Sequence, residues 1–230
     1  MPESVSAPTT PPRQLAFALD HIESFERDDF LSGPSNRSAL SLIERWPDWP
    51  GPIMVLSGPE GAGKSHLAAI WARISGARFI AARALSSAEV PAALATGALV
   101  IEDLMPGGFD ERALFHLINL VREERAFVLV TTRTAPVGWT VRVPDLASRL
   151  RAVPVVQIEA PDDTLLRAVI VKLFADRQLA VEESLVGYLT TRIERSFAAA
   201  KAAVDQLDRE ALRLKRPVTR ALAATCFREP

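Results

Sequence analysis

Short runs of apolar residues recur along the first two thirds of the chain. They lie at residues 53–56, 78–81, 98–101, 126–130 and 153–158. Apart from Arg78 and Gln157, the residues of these runs are apolar rather than alternating with polar residues, which is typical of strands buried on both faces. We therefore predict five strands in one parallel sheet.

Segments with helical spacing separate these runs. Apolar residues recur every three or four positions at 38–46, 64–74, 87–95, 110–124 and 144–150. The segment at 87–95 is the weakest of them, whereas Asp110 is placed to cap the helix that follows it. Strands that alternate with helices predict an α/β fold with helices on both faces of the sheet.

The pattern changes after residue 160, where no further strand is predicted. Asp162 can cap a first helix, a second follows around residues 185–193, and a third runs from Phe197 towards Pro217. We predict an α/β base over residues 23–159 and a small all-α lid over 160–230. Residues 1–22, which begin with a stretch rich in Pro, Ser and Thr, are predicted to form a disordered tail.

Composition and charge exclude several classes of protein. The formal net charge of −1 gives no global positive field for nucleic acid or an anionic membrane, and the single cysteine allows no internal disulfide. The sequence contains no run of about 18 apolar residues, so no membrane span is predicted. The N-terminus lacks the basic start and apolar core of a secretory signal. The sequence predicts a cytoplasmic protein without a membrane partner.

The most specific motif follows the first predicted strand and opens a helix. Residues 58–65 match the pattern G-x-x-x-x-G-K-[ST] of a phosphate-binding loop, or P-loop. Its glycines let the main chain approach phosphates, while Lys64 reaches the β- and γ-phosphates and Ser65 joins a magnesium shell. We predict that ADP or ATP with Mg²⁺ binds here. The predicted contact residues are Gly58, Glu60, Gly61, Ala62, Gly63, Lys64, Ser65 and His66, the last also a candidate for simple packing.

Acidic residues end the third strand, where open α/β sheets place their ligands. Glu102 and Asp103 are predicted to hold Mg²⁺ and to orient or deprotonate an attacking water. Thr131 and Thr132 end the next strand. Thr132 is predicted to bond the γ-phosphate or that water, although threonine is also simply common at strand ends.

Several segments together resemble the AAA+ domain of the bacterial replication initiator DnaA over roughly residues 23–215. They are Phe25, Phe30, residues 58–67, residues 101–104 and residues 146–150. Residues 144–150 and 205–208 are more similar still to the short DnaA homologues of the Hda type, which regulate initiator inactivation. The resemblance implies an AAA+ P-loop NTPase fold.

The same resemblance implies partners and two further sites. Arg149 is expected to act in trans as an arginine finger on a neighbouring subunit's nucleotide, and a homodimer is left open. Gln14, Leu15, Phe17 and Leu19 resemble the peptide that docks on the sliding clamp, the β subunit of DNA polymerase III. The alternative for this peptide is a first strand or staple of the folded domain.

Two departures from the family pattern bear on catalysis. Ala198 aligns with an arginine that senses nucleotide from the third lid helix, and Arg133 falls where the family often has an acid. We therefore expect stable nucleotide binding, favouring ADP, with weak hydrolysis by this chain.

Three functions are compatible with the sequence. The first is a negative regulator of DNA replication initiation that binds the clamp, promotes ATP hydrolysis by DnaA and meets DNA only through the clamp. We also expect no helix-turn-helix domain after the lid. The second is a DNA-binding helicase loader or stand-alone ATPase, suggested by basic residues between 209 and 220. The third, a small-molecule P-loop kinase, explains neither the tail nor Arg149.

Overall fold

The five predicted strands form one parallel sheet. The computed structural model describes residues 25–227, so the tail peptide with Gln14, Leu15, Phe17 and Leu19 lies outside the described residues. The strand order is β2-β3-β4-β1-β5, with the P-loop strand β1 between β4 and β5. The strands are β1 Ile53–Ser57, β2 Arg78–Ala81, β3 Ala98–Glu102, β4 Phe127–Thr132 and β5 Val155–Gln157.

Helices cover both faces of the sheet and then form a separate group. Those of the α/β part are α1 Arg37–Glu44, α2 Lys64–Ser75, α3 Val90–Ala93, α4 Glu111–Glu123 and α5 Pro144–Ala152, followed by α6 Asp163–Asp176, α7 Glu183–Thr190, α8 Phe197–Leu214 and α9 Arg220–Cys226. Every residue of β1 is buried because apolar clusters lie on both sides of the strand. The predicted α/β fold with a parallel sheet is confirmed.

One apolar face packs on α1 and α2 around tryptophans. The rings of Trp49 and Trp71 stack with centroids 5.0 Å apart, and the indole N–H of Trp49 donates to the carbonyl oxygen of Leu42 at 2.8 Å. Trp71 is fully buried. The opposite face packs on α3, α4 and α5. The two layers bury β1 from both sides and so fix the place from which the loop at its carboxyl end departs.

The helices α6 to α9 share an apolar cluster of their own, separate from the two clusters on the sheet, and are called the lid helices below. Side-chain caps begin α6 and α8: Asp162 accepts from the N–H of Leu165, as the sequence predicts, and Ser196 accepts from the N–H of Ala199. Arg177, which directly follows α6, pairs with Asp205 of α8; the arginine side chain is buried and that of Asp205 is partly buried. Asp205 therefore joins two lid helices.

Some predicted bounds differ from the structure for local reasons. The segment 87–95 is helical only over Val90–Ala93. β5 begins later than predicted, at Val155, because Pro154 has no N–H to donate, although its carbonyl oxygen accepts from the N–H of Val55 at 3.0 Å; the strand ends at Gln157, one residue early. α8 ends at Leu214 because Lys215 adopts a left-handed conformation, before Pro217 is reached. Within residues 25–227 no helix is long and apolar enough to cross a membrane.

Candidate nucleotide-binding site

The P-loop connects β1 to α2 and depends on glycine geometry. Gly61 and Gly63 have φ angles of 70° and 93°, a region that side chains disfavour, and Gly63 directly precedes the first turn of α2. At Gly58, a Cβ would lie 2.3 Å from the carbonyl oxygen of Ile158. The loop therefore requires glycine at these positions, and it leads into the amide end of a helix, where anions are stabilised.

Lys64 lies inside this loop. The residue is 8% exposed, and its Nζ donates to the carbonyl oxygens of Gly58 at 2.8 Å and Pro59 at 2.7 Å. Burial lowers the pKa of Lys64, an effect that Asp103 opposes and Arg133 reinforces. The ammonium is held at the loop by neutral carbonyl groups.

Ser65 and Ala62 occupy different environments within the motif. Ser65 is exposed in the first turn of α2, whereas Ala62 is buried against the core. An exposed hydroxyl beside the loop is free to coordinate a cation. The assignment of Ser65 to magnesium stays a prediction.

The acidic residues lie at the carboxyl end of β3. Glu102 ends the strand half-buried, and Asp103 follows it exposed, with a left-handed φ of 54°. The N–H of Asp103 donates to Oγ1 of Thr131 at 3.1 Å. This bond to the neighbouring strand β4 stabilises the turn that carries the Asp103 carboxylate at the sheet edge.

Thr132 ends β4 and is fully buried. It lies opposite Ser57, the last residue of β1, and its carbonyl oxygen accepts from the N–H of Gly58 at 3.2 Å. Its hydroxyl donates to the carbonyl oxygen of Thr134 at 3.0 Å. The Thr132 backbone thus supports the P-loop, and a phosphate or water contact by its hydroxyl stays a prediction.

His66 packs against the segment that precedes α1. Its ring makes edge contacts with Phe25 and Phe30, with centroids 5.2 Å apart in both cases, and its Nε2 lies 3.0 Å from the carbonyl oxygen of Glu26. These contacts agree with the packing interpretation of His66.

The sequence analysis missed a turn that joins the α/β part to the lid. Asn36 is 1% exposed, accepts from the N–H of Gly33 at 2.8 Å and donates to the carbonyl oxygen of Leu31 at 3.0 Å. Gly33 packs against Leu165 of α6, where a Cβ would lie 2.9 Å from the leucine side chain. The spacing Gly33-x-x-Asn36 was the available signal, since asparagine commonly stabilises such turns.

The lid contacts the P-loop through the start of α8. The N–H of Phe197 donates to the carbonyl oxygen of Gly61 at 2.9 Å, and the ring of Phe197 lies 3.4 Å from the position of a Cβ on Gly63. Ala198 is exposed and lies next to Gly61. The position that the resemblance to DnaA aligns with a nucleotide-sensing arginine therefore lies beside the P-loop and carries a methyl group in this chain.

Arg133 directly follows β4 and reaches the P-loop. Its Nη2 lies 2.6 Å from Oε2 of Glu60, and both side chains are more than half exposed. Sequence reasoning treated Arg133 only as a departure from the family pattern. The contact with Glu60 brings it to the site.

Arg149 is bound to its own chain. It lies on α5, where it donates to Oδ1 of Asn119 on α4, and its guanidinium lies 4.7 Å from the ring centroid of Phe115. The arginine-finger role in trans stays a prediction, and it requires the side chain to exchange these contacts for a neighbour's nucleotide.

Comparisons with solved structures agree with this architecture. Domain III of the Thermotoga maritima replication initiation protein DnaA matches with a TM-score of 0.70 and 16% identity over 90% of this chain and 98% of that chain. AMPPCP-bound DnaA from Aquifex aeolicus matches with a TM-score of 0.63 and 17% identity, over 81% and 65% of the two chains. The Thermotoga maritima RuvB Holliday junction branch migration motor gives a TM-score of 0.71 and 16% identity, over 88% and 70%.

No protein-family model and no curated protein matches the sequence. At these identities the structural likeness establishes the fold, which is the AAA+ P-loop NTPase fold found in DnaA and RuvB.

Proposed function

We propose that the chain binds ADP or ATP with Mg²⁺ at residues 58–65. The observation that carries this proposal is the buried Lys64 ammonium inside a loop whose glycines adopt left-handed angles at the start of α2. A phosphate fits this environment because it can accept bonds from the ammonium and from backbone N–H groups. Ser65, Glu102 and Asp103 would supply oxygen ligands for Mg²⁺, which neutralises phosphate charge when bound.

Calorimetric titration of the full chain with ADP tests this site. Lys64→Ala should weaken binding by about tenfold or more, since charge-assisted hydrogen bonds contribute roughly 1.5–3 kcal/mol. Lys215→Ala is a matched control because Lys215 is exposed at the end of α8. Equal affinities for the two variants would refute the assignment.

We further propose that this chain hydrolyses ATP weakly. The methyl group of Ala198 offers no charge to a γ-phosphate from the lid, and the position after Thr132 carries Arg133 instead of an acid. Both differences remove groups that position water or stabilise charge during phosphoryl transfer.

The regulatory function we propose is negative control of DNA replication initiation in the cytoplasm. In this proposal residues 14–19 bind the sliding clamp, and Arg149 acts on ATP held by DnaA, so that the initiator hydrolyses its nucleotide. Support comes from the fold shared with DnaA and from the resemblance of residues 144–150 to the Hda-type homologues. In this proposal the chain associates with DNA only indirectly, through the clamp.

A reconstituted assay tests the regulatory proposal. The full chain with clamp loaded on DNA should accelerate hydrolysis of DnaA-bound ATP, and Arg149→Ala should abolish the acceleration. Arg151→Ala is the matched control, because Arg151 is exposed on the same helix. Changing Gln14 and Leu15 to alanine should remove clamp binding in a pull-down while nucleotide binding persists. Full stimulation by Arg149→Ala would defeat the mechanism.

A second candidate function rests on one surface of the lid. Five basic residues are exposed around the end of α8 and the start of α9, together with Leu212, which is 59% exposed. They are Arg209, Arg213, Lys215, Arg216 and Arg220. This surface favours direct DNA binding by a loader or stand-alone ATPase. Tight single-stranded DNA binding with a steep salt dependence would support it over the regulatory proposal.

A further inference from the structure

Arg133 leaves the sheet beside the P-loop. It follows Thr132, which lies opposite Ser57 at the end of β1, and the Thr132 carbonyl oxygen accepts from the N–H of Gly58 at 3.2 Å. The chain at Arg133 is thereby tied to the first residue of the phosphate loop. β4 also separates β1 from β3, whose end carries Glu102 and Asp103. Arg133 therefore emerges between the phosphate loop and the acidic residues.

The guanidinium of Arg133 turns back onto the loop. Its Nη2 lies 2.6 Å from Oε2 of Glu60, the third residue of the motif, and 53% of the Arg133 side chain remains exposed. Its charge is close enough to lower the pKa of Lys64, although burial of that lysine is the larger cause. The positive charges of Lys64 and Arg133 therefore both lie at the P-loop.

On its lid side, the P-loop faces a small apolar residue, and the nearby arginine is paired with an aspartate of the lid. Ala198 occupies the position next to Gly61, and Arg195, near the start of α8, pairs with Asp163 at 2.9 Å. Arg133 consequently provides from β4 the positive charge that Ala198 does not provide from α8. Exposed ion pairs such as Arg133–Glu60 are weak, and a polyphosphate with several negative charges competes effectively with one carboxylate for a guanidinium.

We propose that Arg133 binds the terminal phosphate of the nucleotide, with Glu60 holding its guanidinium at the loop until the phosphate arrives. This inference rests on the proposed nucleotide binding at residues 58–65. Because the contact is with the terminal phosphate and β4 adjoins the acidic end of β3, Arg133 should favour a triphosphate over a diphosphate.

Calorimetric titrations of the full chain with Mg²⁺ and either ADP or a non-hydrolysable ATP analogue test the inference. Arg133→Ala should lower the affinity for the ATP analogue by about tenfold, equivalent to roughly 1.4 kcal/mol, and should lower the affinity for ADP by less. Arg133→Lys should retain part of the affinity because it keeps the charge but loses the planar fork. Arg142→Ala, at another exposed arginine, is the matched control.

Glu60 separates phosphate binding from a merely structural ion pair. If Arg133 binds phosphate, Glu60→Gln should raise the affinity for the ATP analogue by about two- to threefold, because the carboxylate that competes for the guanidinium is removed. If the ion pair only stabilises the loop, Glu60→Gln and Arg133→Ala should weaken binding alike, which would overturn the inference. So would a wild-type affinity in Arg133→Ala. Failure of the wild-type chain to bind either nucleotide would instead refute the proposed nucleotide site itself.

Discussion

The N–H of Phe197, the first residue of α8, donates a hydrogen bond of 2.9 Å to the carbonyl oxygen of Gly61 in the P-loop. The lid can approach the loop this closely only because the facing residues are small: a Cβ on Gly61 would lie 2.9 Å from the Cβ of Ala198. A nucleotide that reshapes the loop must therefore move or accommodate the start of α8. This contact links the lid directly to the P-loop.

Ala198→Arg should restore a cation on the lid side of the site. Because Ala198 is exposed, a longer side chain can be accommodated there. The arginine side chain would leave the backbone next to Gly61 and could carry its guanidinium to the P-loop. We expect the affinity for a non-hydrolysable ATP analogue to rise by about tenfold, as one charge-assisted bond allows. Calorimetry measures it, with Ala221→Arg on α9 as the control. Equal effects of both variants would show a general charge effect.

Nucleotide affinity should depend on pH through Lys64. Phosphate binds the ammonium form and raises its pKa, whereas burial lowers the pKa of the free site from 10.5. Affinity for ADP should therefore fall as pH rises through the lowered pKa, beginning below 10.5. The free energy of unfolding should change in the opposite direction with pH. Because the unfolded chain keeps the Lys64 proton to higher pH than the folded chain does, the contribution of Lys64 to stability rises as pH rises through the same window.

Titrations of ADP between about pH 7 and about pH 10 measure this dependence. Lys64→Arg is the matched variant, since a guanidinium stays charged throughout. Any affinity that it retains should not decline over this range. An equal decline in both proteins would assign the effect to another group.

Asp110→Ala should destabilise the α/β part by about 1 kcal/mol, a typical cost of losing a helix cap. Oδ1 of Asp110 accepts from the N–H groups of Arg112 at 2.8 Å and Ala113 at 3.2 Å. Urea unfolding followed by circular dichroism measures the loss. Asp110→Asn, which retains an acceptor oxygen, should lose much less; equal losses would mean that charge, rather than capping, is responsible.

Asn119→Ala should increase the proposed action of Arg149 on DnaA. Arg149 must leave Asn119 and the ring of Phe115 to reach a neighbour, and removing the amide oxygen lowers the cost of that step. We expect the stimulated hydrolysis rate to rise by about two- to tenfold, within the range of one hydrogen bond to a charged group. Adding Arg149→Ala should abolish the stimulation. A lower rate in Asn119→Ala would show that Asn119 orients the arginine productively.

Local sequence was sufficient wherever one segment contains all the interacting groups. The P-loop was predicted because consecutive residues form it, and the α4 cap because Asp110 bonds to N–H groups two and three residues away. The segment around α3 was predicted too long because its weak apolar spacing does not limit the helix to Val90–Ala93.

Long-range contacts needed the tertiary structure. The sequence identified Arg149 as a candidate but not its bond to Asn119, which lies 30 positions earlier. It likewise treated Arg133 as a departure, because the ion pair to Glu60 exists only when β4 lies beside β1.

The sequence by itself determined the class of fold and the chemistry of the phosphate loop, since strand burial, helix spacing and glycine backbone freedom are properties of adjacent residues. The tertiary structure alone decided which charges meet that loop. It placed Ala198 next to Gly61 and Arg133 next to Glu60 because sheet order and lid packing bring distant segments to one edge. Electrostatic interactions depend on distance in space, and sequence separation does not encode it.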